Sequence, residues 1–216
     1  CFARKVEGAM KDKFYERHAI IAKDPDYQAR HINKNELKKY AADFTTIYNK
    51  AWAGHGGLKE MHVEVMLKTF QKMKAIMDEK IIWFAYYKGQ PIAMWVNIPD
   101  VNQWFKYLNG KFDLFAKLKF LWVKATKNCS RFNGVVFGVI PEFQGMGVDN
   151  YIIVEGSKII QFKLKYEEYE MQWIGDFNPK MINIGENLEA SRNRILTTYR
   201  YLFDRTKEFK RHPILL

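Results

Sequence analysis

An apolar strand that runs through a glycine turn directly into a long helix constrains this chain more than any other feature. Gly134–Ile140 reads GVVFGVI, without a charge. Pro141 to Gly147 form the turn. The helix that follows carries Val148, Ile152, Gly156, Ile159, Phe162 and Tyr166 on one stripe. Tyr169–Ile174 (YEMQWI) is the next strand. Two strands joined by a crossover helix imply parallel pairing. Gly156 in mid-helix costs ~1 kcal/mol against alanine, so close packing on the sheet is its expected reason.

The other elements follow from periodicity and punctuation. Asn33 or Asn35 caps a helix to about Trp52, which AGHGG breaks. A second helix runs from about His62 to Met77. Ile81–Tyr87 and Pro91–Ile98 form a hairpin around Lys88-Gly89-Gln90. Phe112–Val123 reads as an amphipathic helix with Phe112, Phe115, Leu118, Leu121 and Trp122 inward and its lysines outward. Asn178-Pro179 opens a helix to about Leu188, and Arg194–Phe203 (RILTTYRYLF) reads as a final strand. The expected class is α/β: a mixed central sheet with helices on both faces. Residues 1–30 read as an extension, helical near Phe2–Ala22, with PDYQARHI supplying a strand. Residues 31–205 read as the main domain and 206–216 as a basic tail.

Composition narrows the function classes. The chain has 216 residues, 48% of them apolar, enough for a sizeable core. Aromatics reach 16%, and packing explains most of them, although Trp52, Trp83, Trp95 and Trp104 suit an apolar acceptor cleft as well. Cys1 and Cys129 are the two cysteines, which points to a reducing compartment rather than a disulfide scaffold. His18, His31, His55, His62 and His212 are scattered, and no metal site is expected. No apolar run reaches the ~18–20 residues of a membrane span. The first residues are polar and charged, so the expected location is cytoplasmic, with no membrane partner. The chain does not begin with methionine, which suggests that it is part of a longer protein. Its net charge is +11, and Asn102–Arg131 holds seven Lys/Arg against one acid, Asp113. Without a base-reading motif this stretch reads as a solvated helix face rather than a nucleic-acid site.

The glycine turn has a chemical reading. A helix start exposes unpaired N–H groups and a positive dipole end. With Gly145 and Gly147 before it, the start becomes a cradle for phosphate oxygens. A strand–helix connection that uses glycine only for its geometry remains the alternative. Asp149, just behind the glycines, is then a puzzle. An acid in the first turn favours the helix dipole by ~0.3–1 kcal/mol, so its side chain can face solvent while its amide serves the anion.

Pro141-x-x-Gln144-x-x-Gly147 after an apolar strand resembles the acyl-CoA pyrophosphate loop of the GNAT acyltransferase superfamily. IYNKAW, PDVNQ, GVIPEFQGMGVD, WIGDFN and TTYRYLF resemble a bacterial branch of it, over about Asp43 to Phe203. The resemblance implies that Phe137, Gly138 and Val139 line the pantetheine arm, with Asn178 contacting it. It implies that Gln144, Gly145, Met146, Gly147, Val148, Asp149 and Asn150 hold the pyrophosphate. The co-substrate would be acetyl-CoA or another acyl-CoA, and the acceptor a small-molecule or peptide amine. Asp149 stands where the family has glycine or alanine.

Acyl transfer to an amine needs a neutral amine, a polarised carbonyl and a protonated leaving thiolate. An N–H at Val139 or nearby suits the carbonyl. The family's usual acid and base positions fall on Gly185 and Trp173, so the expected substitutes are Tyr199, Tyr201 and Asp176, with Glu142 also near the cleft. The leading expectation is a CoA-dependent N-acyltransferase, with acetyl the first choice of acyl group. A GNAT-like CoA-binding module without turnover is the alternative.

Overall fold

The computed structural model describes residues 1–52, 59–211 and 214. Its centre is a seven-stranded mixed sheet in the order β2-β3-β4-β5-β6-β1-β7. The strands are β1 (Phe2–Lys5), β2 (Tyr27–His31), β3 (Ile82–Tyr87), β4 (Gln90–Pro99), β5 (Arg131–Val139), β6 (Glu168–Met171) and β7 (Ser191–Arg192). The helices are α1 (Asp12–Ile21), α2 (Leu37–Trp52), α3 (Val63–Met73), α4 (Asn102–Phe105), α5 (Leu114–Thr126), α6 (Val148–Lys163) and α7 (Pro179–Asn187). Strands β5 and β6 pair in parallel through the crossover α6, as the strand–helix–strand pattern requires. Every other pair is antiparallel.

The hairpin turns on Lys88 and Gly89, both with positive φ (47° and 78°), the backbone that suits the twist of the flanking strands. It brings Trp83 opposite Trp95 and Phe84 opposite Met94. Successive side chains point to opposite faces. The two tryptophans meet α6, and Phe84 meets Tyr40 of α2 at 5.2 Å between ring centroids. The sheet is therefore covered on both faces. The residue that lets α6 come close is Gly156: a Cβ there would stand 2.8 Å from Trp95 and 3.3 Å from Trp83.

Three expectations change. Residues 1–30 are woven into the fold rather than appended to it. β1 lies between β6 and β7, α1 packs on α6, and β2 pairs with β3. Arg194–Phe203 is not a strand: the chain pairs with β1 only over Ser191 and Arg192, and residues 194–201 are exposed without regular structure. The physical reason is that β1 already occupies the free edge of β6. In α5 the inward face is Ala116, Phe120 and Val123, whereas Phe115, Leu118, Leu121 and Trp122, with Phe112 just before the helix, are exposed. Phe120 and Val123 join Trp104, Leu108 and Cys129 in a small satellite core. The helix has two apolar arcs, and periodicity alone does not say which one meets the protein.

The AGHGG break, His55 and His212 lie outside the described residues. Among the described residues no cluster of His, Cys, Asp and Glu is placed to hold a metal. No helix among them is long and apolar enough to cross a membrane.

Gly156→Ala gains helix propensity but drives a methyl into two buried indoles held by the sheet. Overpacking of this kind costs ~1–3 kcal/mol, more than the ~1 kcal/mol gained. The variant is expected to melt at a lower temperature, which thermal denaturation followed by circular dichroism checks.

Candidate functional site

The parallel pairing of β5 and β6 runs only from Arg131–Glu168 to Gly134–Met171. Gln172 N–H donates to the Gly134 carbonyl at 3.1 Å, and the strands then part. At the same point the register against β4 shifts: Val96 pairs with Val136 and Asn97 with Gly134, which leaves Val135 as a bulge. The gap opens into a cavity of about 640 Å³. Its walls include Val136, Phe137, Trp52, Trp173, Phe177 and Met181. None of the described residues lining it carries a carboxylate or an imidazole.

Beyond the bulge, β5 keeps one edge on β4. Ile140 N–H donates to the Ile92 carbonyl at 2.9 Å. By alternation, the peptide groups of Phe137 and Val139 face away from β4, into the gap. The Val139 carbonyl accepts from the Gln144 side chain at 3.0 Å, so Gln144 ties the turn to the strand. Gly138 is needed for close approach, because a Cβ there would stand 2.2 Å from the Trp52 ring.

The turn after β5 uses left-handed backbone at Gly145 (φ 76°) and Gly147 (φ 89°). Tyr151 N–H donates to the Gly147 carbonyl, and by helix geometry the N–H groups of Val148, Asp149 and Asn150 have no acceptor within α6. No side chain caps this end. Asn150 is 3% exposed, and its Oδ1 has no hydrogen-bond partner among the described residues. Asp149 is half-buried in the first turn, and no ion pair holds it among the described residues. Arg17 of α1 reaches the turn: its Cβ is 3.4 Å from where a Cβ on Gly147 would stand. Asn178 lines the cavity and also caps α7, its Oδ1 accepting from Met181 N–H at 3.2 Å.

Tyr169 of β6 stands at the point of divergence. A Cβ on Gly134 would lie 2.4 Å from its hydroxyl oxygen. That oxygen accepts from Trp95 Nε1–H at 3.0 Å. Burial pushes the phenol well above its ordinary pKa, against a smaller downward pull from the Trp95 N–H. Tyr169 therefore keeps its proton at any physiological pH and is a donor at the apex of the gap.

The residues expected to supply acid or base chemistry are elsewhere. Tyr199 is 90% exposed and Tyr201 65%, both in the irregular segment after β7. Asp176 is exposed and bonded to the Arg211 guanidinium. Glu142 is exposed on the single 3-10 turn Pro141–Phe143. None of the four lines the cavity. Gly185 packs against Phe2 and Met171, and Trp173 lines the cavity. Of the four tryptophans, Trp52 and Trp95 line the gap, while Trp83 and Trp104 are core. Sequence reading missed Tyr169 and Arg17. Tyr169 sits inside a recognised strand, but only the pairing of Gly134 with Met171 reveals that its phenol fills a glycine's side-chain space.

Gly134→Ala is expected to displace the Tyr169 phenol and break its bond to Trp95. The check is near-ultraviolet circular dichroism, which reports the buried rings, together with a loss of stability of ~1–3 kcal/mol.

No family model matches the chain. A bacterial ceramide synthase from Caulobacter vibrioides is 23% identical over 173 residues, which is 79% of this chain and 45% of that protein. Protein YghO from Escherichia coli is 23% identical over 164 residues, 74% of this chain and 42% of that one. The chain thus spans less than half the length of these curated relatives. Among solved structures, an aminoglycoside acetyltransferase from an uncultured soil metagenomic sample, in complex with sisomicin, superposes with a TM-score of 0.52 at 9% identity. The match covers 82% of this chain and 97% of that one. The fold is that of the GNAT-type acetyltransferases.

Proposed function

We propose that this chain, with its GNAT-type fold, is a CoA-dependent N-acyltransferase. The observation that carries the reading is the gap between β5 and β6 opening at Gly134, with a glycine-lined helix start at its mouth. Both parts fit an acyl-CoA. The open peptide edge at Phe137 and Val139 suits the amide groups of a pantetheine arm. The free N–H groups of Val148 to Asn150, the unpartnered Asn150 Oδ1 and the Arg17 side chain suit a pyrophosphate and what adjoins it.

The chemistry assigned to the residues is direct transfer. The neutral amine attacks the thioester carbon, the C–N bond forms, the C–S bond breaks, the sulfur leaves as thiolate, and the proton shed by the amine nitrogen passes to that thiolate or to solvent. A main-chain N–H at Phe137 or Val139 polarises the carbonyl. Tyr169 O–H donates a hydrogen bond to the leaving sulfur. Its raised pKa makes it a stabilising donor rather than a strong acid. Tyr199, Tyr201 and Asp176 enter this scheme only through a change in the C-terminal segment.

The walls support a choice of acyl group and acceptor. Apolar and aromatic side chains dominate them, and the space exceeds what an acetyl group fills. A ceramide is an N-acylated long-chain amino alcohol, so the likeness to a ceramide synthase supports the same preference. The reading is a fatty acyl chain, or an amine that carries one, rather than acetyl transfer to a small polar amine. The vacant acid and base positions at Gly185 and Trp173 support a second reading, a CoA-binding module without turnover.

Two measurements test this. Calorimetry is expected to show CoA binding that Gly147→Glu abolishes, since a carboxylate would enter the cradle. Asp149→Gly is expected to raise CoA affinity by about twofold to fivefold while costing ~1–2 kcal/mol of stability through the helix dipole and backbone entropy. Thiol release from long-chain acyl-CoA with an amine panel separates the two readings. For the enzyme, Tyr169→Phe is expected to lower kcat by about 10- to 100-fold and to leave CoA affinity unchanged. Binding without thiol release from any amine supports the silent module, and no binding at millimolar CoA ends both.

A further inference from the structure

Helix α5 turns its larger apolar surface away from the protein. Phe115 is 81% exposed, Leu114 70%, Phe112 62%, Trp122 60% and Leu118 59%, with Leu121 close behind. At ~100° per residue, Leu114, Phe115, Leu118, Leu121 and Trp122 fall within an arc about 120° wide. Ala116, Phe120 and Val123 fasten the opposite side to the satellite core. On the same wheel Lys117 and Lys124 flank the arc on one side and Lys119 on the other. Lys106 and Lys111 precede the helix. None of these five lysines takes part in an ion pair among the described residues. Lys124 is turned back onto the protein, its Nζ donating to the Ala75 carbonyl. The segment's one acid, Asp113, is used to cap the helix, its Oδ1 accepting from Ala116 N–H at 2.8 Å.

We propose that this face docks the protein on an anionic lipid bilayer, with α5 lying in the plane of the surface. The occupant is chosen by charge and shape together. An apolar arc bordered by Lys117 on one side and Lys119 on the other, neither facing a carboxylate among the described residues, matches a hydrocarbon boundary beneath negative headgroups. A nucleic acid would use the lysines but leave Phe115, Leu118 and Trp122 in water. The lack of a membrane-spanning helix led to the expectation of no membrane partner; lying on a surface needs no span. The proposal stands on α5 alone and does not require acyl transfer.

The test is vesicle flotation of the whole chain with phosphatidylcholine alone and with phosphatidylcholine containing about one-third phosphatidylglycerol. The chain is expected to float with the anionic vesicles, with a blue shift of tryptophan emission, and to be released by about 0.5 M salt. The double variant Phe115→Asp/Leu118→Asp changes only exposed positions. It is expected to keep the melting temperature and bind at least about tenfold more weakly. Lys117→Glu/Lys119→Glu is expected to lose binding to anionic vesicles in the same way. Failure to float, or flotation unaffected by the two aspartates, overturns the proposal. So does self-association on sizing that Phe115→Asp/Leu118→Asp abolishes in a chain that ignores vesicles, since the face would then be covered by a second copy. Salt-sensitive binding to DNA without binding to vesicles overturns it as well.

Discussion

The site depends on where the Trp95 indole sits. Its ring lies under Gly156 of α6, and its N–H is given to the Tyr169 hydroxyl across the sheet. Tyr169 in turn meets it edge-on at 5.7 Å and stacks on Phe132 at 4.8 Å. One side chain of β4 thus fixes the crossover helix above and the phenol of β6 beyond β5. If α6 stood further off, as any residue larger than glycine at 156 would require, the turn at its N-terminus would shift relative to the open edge of β5. The glycine turn and the gap are therefore positioned by this packing contact together with the Gln144 bond to the Val139 carbonyl.

The opposite face of β6 is held by charge. Glu170 alternates with Tyr169 along the strand, so it points the other way, and it is 1% exposed. Arg131 of β5 stands 3.6 Å away, Asn193 donates at 2.9 Å, and the Arg194 guanidinium bonds to it. A buried carboxylate is tolerable only with such a full set of partners. It ties β5, β6 and the segment after β7 together at the paired end of the strands. Pairing is strong up to Gly134 and absent beyond it. A splay of this kind needs a firm anchor at its closed end, or the gap would close or the strands would separate altogether.

How much of this could be read in advance differs by element. The crossover was legible because Gly134–Ile140 lacks charge and Val148, Ile152 and Gly156 follow at helical spacing, although the expected stripe fails at Phe162, which is 81% exposed, and at Tyr166, which lies beyond the helix. Gly156 was legible because glycine weakens a helix interior and is tolerated there where a neighbour stands too close for a side chain. The place of Phe2–Lys5 was not: four residues of strand carry too little pattern, and their position depends on β6 having a free edge. Arg194–Phe203 has the β-branched and aromatic content of a strand, yet a strand needs a partner, and β1 had taken the place. In α5 the inward and outward apolar arcs are equally periodic. Only the satellite core around Trp104 decides between them, and that is a tertiary fact. The turn at Gly145 and Gly147 and the helix start after it were legible from the glycines themselves. Arg17 was not, because it reaches the turn from a helix more than a hundred residues earlier.

Asp149 now has a physical context. It stands in the first turn of α6, where a carboxylate is favoured by the helix dipole and by N–H groups that have no acceptor within the helix. The turn and α5 differ in charge. At the turn, positive potential comes from a helix end and is partly balanced by Asp149. Along α5 it is unbalanced and spread around an apolar arc, as suits an extended surface met by many weak contacts at once.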